Sequence, residues 1–368
     1  MSVKVVQFPK RATLQPGHMR LDEAPIPAEH RAALKRLGYL SVEQVLSAAA
    51  TEPARIRMNN YLKADVTKAL AAVGQRPPLR LSAKAQAATY TFGARLKQPV
   101  KAVMPQVNLA AAAYVPTERR AALPKAAAFG SVPDVNLEPE MPPVRDQAYR
   151  GTCVAHAAVA DFEHYLISNG DAERDTIDLS EQFLYWNCKK NDGEPSEEGT
   201  MLSVAMPLLV TDGCCLETTW PYNPKPIQGN EGQGPPPVNA AQDAAGRKAP
   251  GARSITPQAI PEIKDELAAG RCVAISVVVY DYCWTTPEIR NSGNITMPFP
   301  DDISNEGHAI CLVGYEDLEG EPELGGGRFL LRNSWDSYWG VNCEFGTGYG
   351  TMPYAYLTTY GMEAYSIQ

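Results

Sequence analysis

No apolar run in the 368-residue chain reaches the ~18 residues that span a bilayer. The opening stretch, Met1 to Lys10, lacks the apolar core of an ordinary signal peptide. Metal-ligand spacings of the Cys-x2-Cys or His-Glu-x-x-His kind are missing, so no metal is expected. No glycine-rich phosphate loop follows a strand pattern, since Gly325-Gly326-Gly327 reads as a hairpin turn, and no cofactor is expected. Cysteine and tryptophan are absent from the first 150 residues, although the chain holds eight and five of them. Acidic residues are scarce at the same end. Residues 1–130 contain 7 Asp and Glu against 20 Lys and Arg, a net of +13, whereas residues 131–368 carry 35 against 14, a net of −21. These contrasts place a boundary near residue 130 and make each part the other's first electrostatic partner. With 44 % hydrophobic and 21 % charged residues, the chain is globular and long enough for a sizeable core.

The basic part divides again. Residues 1–27 read as a tail and residues 28–74 as a small helical domain. Ala28–Leu37 is rich in helix formers and stops at Gly38. Ser41 with Gln44 forms a capping-box pattern, and further helices are expected over Glu52–Leu62 and Ala64–Val73. Leu34, Leu37, Val42, Val45, Leu46, Ile56, Leu62, Val66 and Leu70 are spaced to form an apolar core. The pattern loosely resembles helix-hairpin-helix bundles, which bind DNA or protein. With an acidic region on the same chain, nucleic acid is the lesser expectation and a protein partner of the 28–74 unit the greater. Residues 75–130, rich in Ala, Pro and basic side chains, suit a linker or a segment draped over another surface.

The acidic part, 131–368, carries the chemistry. After Gln147 the chain runs Arg150-Gly151-Thr152-Cys153, and then Val154, Ala157, Ala158, Phe162, Tyr165 and Leu166 recur at helical spacing. Cys153 therefore falls at a helix N-terminus, where free N–H groups and the helix dipole favour a thiolate. A thiolate needs a base, and the base an orienting group. Glu306–Tyr315 is a buried-strand pattern that brings in His308; Arg328–Gly340 is a strand running into Asn333 and two tryptophans.

These elements resemble the papain-like cysteine peptidases (peptidase family C1), of bacterial type. The match consists of a Gln six residues before the Cys, a Gly-small-Cys turn opening a helix, Gly307-His308-Ala309 at a strand start, and Asn333-Ser334-Trp335 followed by Trp339-Gly340. Leu179–Gln182, Glu217–Tyr222 and the pair Ile263–Gly270 and Val273–Tyr280 correspond to further family segments. The resemblance covers residues 137–360 and implies an α+β, papain-like two-lobe fold, one lobe helical and one β-barrel-like, preceded by a small all-α domain. It implies Cys153 as nucleophile, His308 as the base ion-paired with it, Asn333 as orienter and Gln147 as oxyanion donor. It also implies Gly151, Glu198, Gly199, Gly307 and Trp335 as substrate-binding residues, with Trp335 shielding the His–Asn bond.

The spacing from Cys153 to His308 exceeds the family pattern, and an insertion at 224–253 accounts for the excess. Arg150 stands where secreted relatives have a bridging Cys. With no leader apparent, this points to a reducing, cytoplasmic setting without disulfides, non-classical secretion remaining open. Cys272 and Cys311 read as buried small hydrophobes, and Cys214-Cys215 as an awkward mutual pair. His156 and His164 read as packing or surface groups, and Trp186, Trp220 and Trp284 as core. Glu194, Glu197 and Glu198 form an acidic loop that either lines subsites or is simply solvated. The implied activity is hydrolysis of a protein or peptide through a thioester, regulated by the N-terminal region as in a zymogen. Transpeptidation or amide hydrolysis on one dedicated partner, and a catalytically idle scaffold, are the competing readings. The charge split predicts that residues 75–135 lie across or near Cys153.

Overall fold

A computed structural model describes residues 10–73, 85, 88, 90–105, 107, 109–116 and 134–368. The remainder of the 75–130 linker, and the first nine residues of the tail, lie outside the described residues.

The N-terminal helices follow from local signals. α1 (Ala28–Arg36) starts after Pro27, and its chain turns out at Gly38 in the left-handed region. At α2 (Val42–Ala48), the Ser41 hydroxyl accepts from the Gln44 N–H and the Gln44 side chain accepts from the Ser41 N–H, the reciprocal capping box the sequence predicts. α3 (Glu52–Leu62) is capped by Thr51, and α4 (Thr67–Ala71) is shorter than the pattern suggests. Leu34, Leu37, Val42, Val45, Met58 and Leu70 are buried, but in one cluster with Trp284, Ile289, Met297 and Phe299 of the acidic region. The helical unit therefore has no core of its own. Ile56, expected inside, is 52 % exposed. The buried stripe of α3 is Ala54, Met58 and Leu62, and Ile56 lies about 200° around the helix from Ala54. The part of the tail that is described is also packed down, with Ala12, Leu21 and Ala24 buried.

The acidic region forms two lobes, as the family resemblance implies. The first is helical: α5 (Cys153–Ser168), α6 (Glu181–Asn191) and α7 (Leu202–Thr211) share an apolar cluster. The second is an antiparallel seven-stranded sheet. Its strands are β1 (Val135–Asn136), β2 (Ala252–Ile255), β3 (Val273–Val279), β4 (Glu306–Asp317), β5 (Gly327–Arg332), β6 (Tyr349–Pro353) and β7 (Gly361–Ile367). They run in the order β2-β7-β3-β4-β5-β6, with β1 added on β4. β3 and β4 read as uninterrupted apolar runs because the helix Ile260–Ala268 and α5 pack against them. α5 also lies against β4, which brings the first residue of the helix beside the first residues of the strand. Residues 224–253 are not a loose surface loop throughout. They include a short helix, Ala240–Ala245, and the chain around Glu231 and Gly232 docks on α6.

The two charge regions meet in ion pairs. Arg20 and Lys35 reach Glu321, Lys10 reaches Glu316 and Asp134, Arg57 reaches Asp302, and Lys101 reaches Asp301. Val100–Lys101 pairs as a strand with Ile303–Ser304.

Candidate active site

Cys153 is the first residue of α5, after a Thr152 N-cap position, and is fully buried. Its Sγ accepts the N–H of Ala309 at 3.4 Å, so the thiol sits at the start of β4 beside His308. β4 presents His308, and the chain leaving β5 presents Asn333. Nε2 of His308 donates to Asn333 Oδ1 at 2.8 Å, which leaves Nδ1 without a hydrogen-bond partner among the described residues. That bond fixes the tautomer in which Nδ1 is the free base. The Ser334 N–H also donates to Asn333 Oδ1, and the Asn333 backbone N–H donates to the Gly348 carbonyl, so both the side-chain oxygen and the main chain of Asn333 are fixed. Trp335 stacks on the imidazole, centroids 4.5 Å apart and planes 17° apart, while Trp284 meets it edge-on. The indoles wall the His–Asn pair off from water.

Gln147 lies in the turn before Cys153. Its Oε1 accepts from the Ser334 hydroxyl at 2.6 Å, which turns Nε2 the other way. Tyr222 fixes the same turn from behind: its hydroxyl meets the Gln147 carbonyl at 2.8 Å and Thr152 Oγ1 at 2.7 Å. The position where secreted relatives have a cysteine holds a buried guanidinium instead. Arg150 donates to Gln182 Oε1 and to the Asn223 and Glu231 carbonyls, between the rings of Tyr185 and Tyr222. Motif reading includes Ser334 and Tyr222 but gives neither a role, because only the geometry shows what each supports.

A strap from the basic region crosses this site. Gln147 Nε2 donates to the Thr91 carbonyl at 3.0 Å, so the side chain implied as oxyanion donor is occupied. Phe92 meets His308 and Trp335 edge-on. Tyr90 packs on Trp335 at 4.6 Å. Gly93 presses on Gly151 so closely that a Cβ there would collide with the Gly151 carbonyl. The Gly93 carbonyl accepts from the Thr200 N–H at 3.0 Å, and the Ala94 N–H donates to the Gly307 carbonyl at 2.9 Å. Arg95 reaches the loop 192–199. The sequence does carry one signal for the strap: Gly93 is the lone glycine from 75 to 129, and aromatics flank it.

Covering has an electrostatic consequence. Burial pushes the Cys153 thiol up to about 11, against hydrogen bonds from Ala309, Gly93, Val154 and Ala94 that favour the thiolate. Burial likewise pushes His308 down to about 4, against the Asn333 bond that favours the cation. Burial under the strap thus favours the uncharged form of each group, the direction opposite to the charge separation that the resemblance implies for an open site.

Of the other implied residues, Gly151 donates its N–H to Glu198 Oε1 at 2.6 Å, and Gly199 donates to the Tyr185 hydroxyl at 3.0 Å. Gly307 and Gly199 flank Ala94 and Gly93 respectively, so both line the channel the strap fills. His156 and His164 are buried, His156 with Nδ1 at 3.0 Å from the Thr152 carbonyl. Trp284 is core, whereas Trp186 and Trp220 are only partly buried. The eight cysteines are free and buried.

A cysteine at a helix start, a histidine on the facing strand under a stacked tryptophan, and an asparagine bonded to that histidine all lie within the stretch that comparison matches. The model of the papain family cysteine proteases matches residues 134–365. The chain belongs to the papain family. It is 26 % identical over 220 residues to an uncharacterised peptidase C1-like protein of Acanthamoeba polyphaga mimivirus, spanning 58 % of this chain and 64 % of that one. To cysteine proteinase 2 of Entamoeba histolytica it is 24 % identical over 208 residues, spanning 56 % of this chain and 60 % of that one. The matches thus span less than two thirds of these papain-family relatives' own lengths. Among solved structures it is similar to xylellain, a cysteine protease from Xylella fastidiosa, at 25 % identity and a TM-score of 0.52. That likeness covers 69 % of this chain and 97 % of xylellain. No helix among the described residues is long and apolar enough to cross a membrane, and no group of His, Cys, Asp and Glu among them is arranged to hold a metal ion.

Proposed function

We propose that this chain is a papain-family endopeptidase that hydrolyses peptide bonds with Cys153, His308, Asn333 and Gln147, and that residues 90–95 hold it inactive. The observation that carries the reading is the strap itself: a peptide lies across the thiol, with a carbonyl on the Gln147 amide and its backbone bonded to both walls. A groove that binds one extended peptide this way is built to bind another.

With the strap withdrawn, water and substrate reach the pair, and the desolvation that disfavours its charged forms falls. Cys153 gives its proton to His308 Nδ1, and the thiolate attacks the scissile carbonyl carbon. The oxygen that gains charge takes hydrogen bonds from Gln147 Nε2 and the Cys153 N–H at the helix start. The imidazolium passes its proton to the departing amine as the C–N bond breaks. A water, deprotonated by the same imidazole, then attacks the thioester; the C–S bond breaks, acid is released and the thiol is restored. Asn333 keeps the ring aligned through both halves.

The test is digestion of a peptide library by the full chain with Gly93→Ala, the substitution that the close approach to Gly151 makes incompatible with a seated strap. Cleavage that disappears when Cys153→Ala is added is the expected result. A strap-opened chain that cleaves nothing would refute the proposal.

A further inference from the structure

Arg95 ends the strap's crossing, and its surroundings are more elaborate than an inhibitory contact needs. Its Nε donates to the Glu198 carbonyl at 3.3 Å, and Nη2 to the carbonyls of Glu194 at 3.0 Å and Glu197 at 3.1 Å. Nη2 also lies 3.2 Å from Asp192 Oδ2, a carboxylate with no exposed surface. Lys189, 3 % exposed, meets the same Oδ2 at 3.1 Å and donates to the Glu194, Glu197 and Gly199 carbonyls. The loop 192–199 is therefore folded around two cations. Lys189 comes from α6, beneath the loop, and stays whatever the strap does. Arg95 arrives with the strap and leaves with it.

When Arg95 leaves, three loop carbonyls and a buried carboxylate lose one of their cations. Carbonyl oxygens of one short loop cannot all turn to new partners while Lys189 holds that loop in place. The acceptors are arranged around Nε and Nη2 of a planar group, the donor pattern of a guanidinium and not of a compact ammonium. The cage also adjoins the channel: the Arg95 N–H donates to the Thr200 carbonyl at 3.1 Å, one residue from Gly199, and Ala94 sits on Gly307.

We propose that this cage is a guanidinium subsite, and that it selects peptide substrates carrying arginine one residue beyond the side chain seated between Gly199 and Gly307. Arg95 is its internal occupant in the covered chain. The inference deepens the peptidase reading above and rests on it for the word substrate, but the site can be probed by binding alone.

The experiment uses the full chain with Gly93→Ala and Arg95→Ala to vacate groove and cage, and Cys153→Ala so that nothing is cut. The probes are capped, labelled alanine hexapeptides with one arginine scanned through each position, and the same set with citrulline, which keeps the shape and loses the charge. Fluorescence anisotropy should show arginine binding about tenfold more tightly than citrulline at one position, the size of a charge-assisted hydrogen-bonded pair. Asp192→Asn should erase that gap. The citrulline control runs in the same protein, so a misfolded Asp192 variant cannot mimic the result. Equal binding of the two sets, a gap at every position alike, or no binding of either set would overturn the subsite and leave Asp192 as a latch for Arg95. The library digest above can fail independently, since it needs Cys153 to react and this measurement does not.

Discussion

At the scale of single residues, the site works through pairs in which one group fixes what another can do. Ser334 turns the Gln147 amide, Asn333 sets the His308 tautomer, and Gly93 sets how near the strap can come. Gln147→Ala in a strap-opened chain should lower kcat by roughly 10² to 10³, the cost of losing one oxyanion donor, with KM changed far less. Steady-state kinetics on a cleavable peptide would measure it. The thiol gives a second readout. Burial raises Cys153 to about 11, so in the intact chain at pH 7 thiolate is scarce and alkylation by iodoacetamide slow. Gly93→Ala should raise that rate at least about tenfold, and His308→Ala should take most of the gain away. The residues implied by the family motifs were legible in the sequence because their types, order and local backbone all carry information. Thr91, Phe92 and Arg95 were not, because an extended peptide has no periodicity and takes its meaning from the groove it enters.

At the scale of elements, capping and turn chemistry predicted structure well wherever the signal was local. The Ser41–Gln44 box is present with both of its hydrogen bonds, and Ser41→Ala should cost about 1 kcal/mol, measurable by urea denaturation. The misreading of Ile56 has the opposite origin. Apolar spacing alone predicts core, but α3 also packs against the sheet lobe, Tyr61 on Phe299 and Arg57 on Tyr282, and such distant partners bear on which stripe is covered. Arg150 is the element-level surprise. It ties the turn before Cys153 to α6 and to the chain at Asn223 and Glu231, where a disulfide would do similar work in a secreted relative. Arg150→Met keeps the stem and leaves two carbonyls and an amide oxygen unsatisfied, each worth about 1–3 kcal/mol if it stays buried. Thermal melting should show a large drop in Tm, together with slower turnover in a strap-opened chain as the turn loosens.

At the scale of the whole molecule, buried titratable groups set how stability responds to pH. Burial raises Glu163 and Glu288 to about 8 and Glu181 and Glu217 to about 7. These carboxyls are neutral in the fold and ionised in the unfolded chain, so folding takes up protons between the ordinary carboxylate range and pH 7–8. Their contribution is present in full at low pH and is lost as pH rises to about 8. His156 and His308, both pushed down to about 4 by burial, act oppositely, but only below pH 6.5. Between pH 6.5 and 8.5 the carboxyls are unopposed, and Tm should fall across that window; Glu163→Gln should flatten the slope. The two-lobe architecture was legible from the order of motifs. The merging of the basic helices into the sheet lobe was not, because composition suggests a boundary where packing makes none.

That merged core changes what cutting the chain would accomplish. Leu34, Leu37, Val42, Val45 and Met58 are buried among Trp284, Met297 and Phe299, and the strap is continuous with the β-pairing of Val100–Lys101 on Ile303–Ser304. A single cut between residues 116 and 134 would leave these described contacts in place. The product should be a two-chain protein that co-elutes on gel filtration, splits only in denaturant, and keeps Cys153 as slow to alkylate as before. On the proposed reading, severing is not shedding: the strap is continuous with an anchor buried in the sheet lobe, so opening the groove would require it to slide out of its channel while that anchor stays in place.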